Sequence, residues 1–209
     1  QAGMPLLEQV QALSADNSDP GLAVFLLGLT PEARACALAW LVGRQYRSVS
    51  IKLAELVDLI EIRLQERGFT LETEAEGRRD FETVDALIEA YGRVASDAAG
   101  PVLDPVRLGL VAPMPLQNLT ILVPSGPQVL TSSGSLLGRI SQRNALFAVA
   151  ASSDHVWTDQ DRQSIAMLLP NTLAVWPIVC GNSAAELASE NRSWLATTDA
   201  PLFPAACVR

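Results

Sequence analysis

The chain has 209 residues, 49% of them hydrophobic and 18% charged, with a formal net charge of −8. That length and apolar content suit one domain with a substantial core, so residues 1–209 are expected to form a single domain. The 15 basic residues are scattered through an acidic chain, which argues against nucleic acid and anionic lipid as partners, because both are held by clustered Lys and Arg.

Leu6, Leu7, Val10 and Leu13 recur at helical spacing ahead of a breaker-rich segment at 14–21, which predicts a short amphipathic helix within residues 1–18, packed on the domain. Leu22 to Leu27 is a continuous apolar run too short for a helix and reads as a buried central strand. Thr30-Pro31-Glu32 marks a helix start: a capping hydroxyl, a proline tolerated at the first helical position, and a carboxylate at the positive end of the dipole. The helix is expected to run to about Gly43.

Ile60, Ile62 and Leu64 alternate with charged and polar residues, and Phe69 and Leu71 extend the pattern to a turn at Glu76-Gly77. This predicts two half-exposed strands at a sheet edge. A stripe of Phe81, Val84, Leu87, Ile88 and Tyr91 predicts a helix over 81–95. Strands are expected at 106–111, 119–123, 145–151 and 173–179, alternating with helices near 134–143, 159–169 and 183–190. That alternation argues for a largely parallel sheet with right-handed crossovers. No apolar run reaches the ~18 residues that cross a bilayer, so the expectation is a cytoplasmic domain that inserts into no membrane.

With its elements in this order, the chain resembles the GTPase domain of bacterial dynamin-like proteins. In that family an apolar strand leads into G-x-x-x-x-G-K-[ST]. Here the first glycine falls on Gly28, the second on Ala33, the lysine on Arg34 and the hydroxyl residue on Ala35, with Leu41-Val42-Gly43 closing the helix. The family's D-T-P-G falls on Val123-Pro124-Ser125-Gly126, its switch I threonine near Leu56, and its N-K-x-D on the segment from Cys180 to Ala184. The segment from Gly134 to Pro170 is similar to the switch II helix, the next strand and the helix after it. The fold this resemblance implies is α/β: a P-loop NTPase-like three-layer domain with a mostly parallel central sheet and an antiparallel edge strand.

Four motifs keep their spacing and lose their chemistry. A phosphate loop presents backbone N–H groups to phosphate oxygens, allows positive φ through its glycines, and reaches phosphate and magnesium with Lys and Ser/Thr. Pro31 has no N–H, Glu32 brings a carboxylate, Ala33 has a Cβ, and Ala35 cannot ligate magnesium. Arg34 is the one residue still suited to an oxyanion, against the simpler reading that it pairs with an acidic neighbour or solvent. Thr30 reads as a cap rather than a ligand.

The resemblance therefore implies a degenerate nucleotide crevice at Gly28, Thr30, Arg34, Ser125 and Gly126. No catalytic residue, cofactor or metal is expected, and no GTP hydrolysis. The leading expectation is a pseudo-GTPase that acts through protein contacts, as an interaction or regulatory scaffold for an active dynamin-like GTPase or for a second copy of itself. One alternative is a divergent nucleotide-binding NTPase using Arg34 and non-standard ligands. Another is an enzyme on a doubly wound sheet with its site at the strand C-termini.

Other candidate groups carry simpler readings beside the functional ones. His155, the only histidine, lies next to Asp154 and reads as a surface residue before a catalytic pair. Asp154, Asp159 and Asp161 could hold a cation, but Asp159 and Asp161 better suit the first turn of a helix capped by Thr158. Ser125 belongs to a Ser/Gly/Pro loop without a nucleophile motif. Cys36, Cys180 and Cys207 are odd in number and widely spaced, which disfavours a disulfide framework or zinc site and suggests buried thiols. The four tryptophans read as packing residues.

Overall fold

The structure, a computed structural model, describes residues 23–46, 59–97, 106–112, 119–124, 145–181 and 186–208. The expected N-terminal helix, the helix near 134–143, Leu56, Ser125, Gly126 and residues 182–184 lie outside the described residues. The rest form one nine-stranded sheet with helices on both faces.

The centre of the sheet is β1 (Ala23–Gly28), six residues without a polar side chain, all buried. It pairs in parallel with β6 (Thr120–Pro124) on one side and β7 (Ala145–Ser152) on the other. Beyond β7 the parallel pairing continues through β8 (Thr172–Cys180) to β9 (Ala206–Val208). On the far side of β6 lie β2 (Leu59–Gln65), β5 (Val106–Val111), β3 (Phe69–Thr73) and β4 (Gly77–Phe81), giving the order β4-β3-β5-β2-β6-β1-β7-β8-β9.

Two expectations need correction here. The antiparallel pairing is not confined to an edge strand: β2 runs antiparallel to β6 inside the sheet, while β3 pairs antiparallel with both β4 and β5. Nor is β2 a half-exposed edge strand, because β5 inserts between it and β3. Its charged residues mislead because they are satisfied within the sheet. Glu61 is 3% exposed and lies 2.9 Å from the Arg63 guanidinium and 3.6 Å from that of Arg107, its register partner on β5, while Arg107 also reaches Glu72 on β3 at 2.8 Å. Cross-strand charge pairs of this kind stabilise a register.

β4 has no apolar alternation, and its first four residues are exposed. It exists because the chain reverses at Gly77, whose φ of 69° favours glycine, and the Thr73 hydroxyl accepts from the Glu76 N–H at 3.2 Å. Phe81 therefore ends a strand, and the helix expected from 81 begins three residues later.

Helix α1 (Pro31–Val42) follows β1, and α2 (Val84–Asp97) follows β4 after Thr83, whose hydroxyl accepts from the Ala86 N–H. Helix α3 (Asp159–Leu168) follows β7, and α4 (Ser189–Leu195), a few residues later than expected, precedes β9. The sheet faces alternate with period two. Val24 and Leu26 join α1 and α2 in one core, while Phe25 and Leu27 join α3 and α4 in the other. The tryptophans divide the same way: Trp40 packs on Trp176 with ring centroids 5.1 Å apart, and Trp157 meets Trp194 edge-on at 5.8 Å. Among the described residues no helix is long and apolar enough to cross a membrane.

Candidate functional site

In an open α/β sheet ligands gather outside the carboxyl ends of the strands, where neighbouring connections diverge. Here β1 is that place: its connection passes into α1, with β6 on one flank and β7 on the other. Only Leu29 and Thr30 separate β1 from α1. Leu29 donates its N–H to the Ala150 carbonyl of β7 at 2.9 Å, which holds the start of the connection on the sheet.

The first turn of α1 uses its donors internally. Thr30 is the extended N-cap, and its hydroxyl accepts from the Ala33 N–H at 3.2 Å. The Arg34 N–H donates to the Thr30 carbonyl at 3.0 Å. Pro31 has no N–H, so Glu32 supplies the only first-turn amide that neither helix nor cap consumes. Gly28 packs directly beneath this turn: a Cβ there would lie 2.6 Å from the Arg34 Cα and 2.9 Å from its N. Gly28 thus serves close approach of helix to strand.

Arg34 turns inward and is 4% exposed. Its Nη1 donates to the carbonyl of Pro124, the last residue of β6, at 3.5 Å. Burial lowers its pKa from the ordinary arginine value, while Tyr91 and Glu32 oppose that shift through their charges. The Tyr91 hydroxyl, on α2, is fully buried and has no hydrogen-bond partner among the described residues. Its own pKa is pushed well up by burial, with Arg34 pulling the other way. Gly28, Thr30 and Arg34 are thus brought together at the end of β6. Ser125 and Gly126, which follow Pro124 in sequence, lie outside the described residues.

The chain matches no protein-family model and no curated protein sequence.

A second polar cluster follows β7. Thr158 and Asp161 form a reciprocal capping box at the start of α3: the Asp161 N–H donates to Thr158 Oγ1 at 3.2 Å, and Asp161 Oδ2 accepts from the Thr158 N–H at 2.8 Å. The same Oδ2 accepts from the Thr158 hydroxyl at 2.8 Å and lies 3.3 Å from His155 Nε2. Asn191 of α4 ties the loop down, donating to the His155 carbonyl at 2.8 Å and accepting from the Trp157 N–H at 2.9 Å. His155 thus pairs with Asp161 rather than with neighbouring Asp154, whose carboxyl is held below its usual range chiefly by the Ser152 hydroxyl. Asp161 and Asn191 are buried, so the cluster shapes the loop. Among the described residues no group of three or more His, Cys, Asp or Glu side chains is placed to hold a metal ion.

The thiols differ from expectation. Cys36 and Cys180 are half-buried and Cys207 is exposed. Separated in sequence, all three stand at the junction of α1, β8 and β9, where a helix and two parallel strands meet. Sequence spacing carries no signal for this, because convergence depends on β9 pairing with β8.

Proposed function

We propose that this domain is a pseudo-GTPase: a dynamin-like G domain that keeps its α/β frame, binds no nucleotide, and works through contacts with an active dynamin-like GTPase or a second copy of itself. The observation that carries the reading is the first turn of α1. Two of its amides are committed to Thr30, a third position is proline, only the Glu32 N–H is left outside helix and cap, and the Arg34 guanidinium points to the Pro124 carbonyl. A phosphate entering there competes with bonds the chain already makes and meets Glu32 besides. With Ala35 where a magnesium hydroxyl is required, phosphoryl transfer lacks its metal. Titration with fluorescent GTP, GDP and ATP, with and without magnesium, is expected to give no saturable signal. Micromolar magnesium-dependent GTP binding would overturn the reading. Light scattering and pull-down with a dynamin-like GTPase test the partner.

A second reading, a divergent nucleotide binder, draws on one feature: a buried cation, the Tyr91 hydroxyl and a helix N-terminus converge at the end of β6. Saturable binding of any nucleotide that Arg34→Met abolishes would favour it.

A further inference from the structure

Cys36 lies in the second turn of α1, Cys180 ends β8, and both face the core shared by α1 and the sheet. Their surroundings interlock. Cys180 Sγ donates to the Ala33 carbonyl at 3.4 Å, three residues before Cys36 on the same helix. Cys36 Sγ reaches the Val208 carbonyl at 4.0 Å, and Val208 is the register partner of Cys180 on β9. The Gly181 N–H, next to Cys180, donates to that same carbonyl at 2.9 Å. One carbonyl therefore touches both neighbourhoods, and the Cys36 thiol is near enough to raise the Cys180 pKa. Cys207 also acts on Cys180 through charge, but its register partner is Val179, so its side chain leaves the sheet on the face opposite to Cys180.

We propose that Cys36 and Cys180 form a reversible intramolecular disulfide on exposure to a peroxide, and that the bridge fastens α1 to the C-terminal end of β8. The chemistry balances with hydrogen peroxide as the oxidant. One sulfur attacks a peroxide oxygen, the O–O bond breaks, and the departing hydroxide takes a proton to leave as water, which yields a sulfenic acid. The second sulfur attacks the sulfenic sulfur, the S–S bond forms, the S–O bond breaks, and a second water leaves with the remaining thiol proton. Two thiols and one peroxide give one disulfide and two waters. Burial, with Cys36 beside it, pushes the Cys180 thiol well above its usual range, so bridging accelerates as pH rises.

The bridge lies beneath the turn that carries Thr30 and Arg34, so oxidation stiffens the crevice end of the sheet. The test treats the native full chain with hydrogen peroxide, removes the oxidant, unfolds the protein, and counts free thiols before non-reducing peptide mapping. The expected count falls from the three cysteines of the chain to one. A peptide joining Cys36 to Cys180, lighter by two hydrogen atoms, appears and is lost on treatment with dithiothreitol. Cys207→Ser still forms the bridge, whereas Cys36→Ser and Cys180→Ser do not. Should either serine variant fold poorly, the wild-type map decides alone. Three thiols still free, over-oxidised sulfur without a bridge, a bridge to Cys207, or a bridge between chains would each overturn the proposal.

Discussion

Gly28→Ala drives a methyl group into the backbone of α1. The added Cβ would stand 2.6 Å from the Arg34 Cα and 2.9 Å from its N, where ordinary contact begins at 3.4 Å. Because these are backbone atoms, and the Arg34 Cβ fixed to them is closer still, no rotamer change relieves the clash, and the first turn has to withdraw by roughly 1 Å, an overpacking of the kind that costs about 1–3 kcal/mol. Withdrawal also stretches the bonds from Leu29 to Ala150 and from Ala33 to Thr30, each worth about 1 kcal/mol. The expected total is about 3 kcal/mol, which for a chain of this size lowers the melting temperature by about 6–12 °C. Urea unfolding followed by circular dichroism should show an earlier midpoint with an unchanged slope. Two further glycines calibrate the effect. Gly92 lies within α2 with nothing within 4 Å of an added Cβ, so Gly92→Ala should stabilise by about 0.5–1 kcal/mol. At Gly109 the added Cβ meets the Thr70 hydroxyl and the end of the Gln65 side chain, which can swing aside, so Gly109→Ala should fall between. If Gly28→Ala proves as harmless as Gly92→Ala, α1 is not seated on the end of β1 and the account of the crevice fails.

Three further substitutions probe the crevice and the second polar cluster. Thr30→Ala removes the cap on Ala33 and should cost about 1 kcal/mol in urea unfolding, with Thr30→Ser recovering most of it. Asp161→Ala strips the shared acceptor from the Thr158 N–H, the Thr158 hydroxyl and His155, and should cost about 2–3 kcal/mol by the same assay. Tyr91→Phe removes a buried hydroxyl without a partner among the described residues and should leave stability at neutral pH unchanged or slightly higher. Burial raises the Tyr91 pKa in the folded state. The unfolded chain therefore releases the phenol proton first, and wild-type stability should fall above about pH 10 with a one-proton slope of about 1.4 kcal/mol per pH unit. Tyr91→Phe should lose that part of the slope; an identical alkaline profile would count against burial as the cause.

Legibility in the sequence followed burial. β1 is a continuous apolar run, α1 has its Thr-Pro-Glu start, β7 is an apolar run bounded by polar residues, and β5 is apolar apart from Arg107, so each could be placed to within about a residue. Where charge is satisfied inside the sheet, the same reasoning fails: Glu61 and Arg63 suggest solvent, yet Glu61 is buried against Arg63 and Arg107. β4 and β9 had no local signal, since each is a strand only because a neighbour offers an edge for pairing. At the crevice, the Thr30 cap was legible as local chemistry, whereas Gly28 was marked only by the motif resemblance and its close approach to α1 depends on packing. The inward turn of Arg34 was not legible, because its acceptor lies 90 residues away, and neither was the convergence of Cys36 and Cys180 on the junction of α1, β8 and β9. Motif spacing identifies which residues stand near a strand end; tertiary packing decides which way they face.

Arg34 gives the reading its last test. Burial destabilises its charge, and at neutral pH, where Tyr91 is uncharged, Glu32 offsets only part of that cost. An anion that reached the guanidinium would relieve the remainder, so binding would stabilise the fold through mass action, by about 2.7 kcal/mol at a ligand concentration of 100 times Kd. For a chain of this length that is a rise of about 5–11 °C in melting temperature. The Pro124 carbonyl already takes a guanidinium N–H and the Glu32 carboxylate repels an incoming anion, so inorganic phosphate and GTP should shift the melting temperature no more than sodium chloride at equal ionic strength. A rise with phosphate that persists at matched ionic strength and disappears in Arg34→Met would mean that Arg34 leaves Pro124 for a ligand, and that the crevice still binds phosphate.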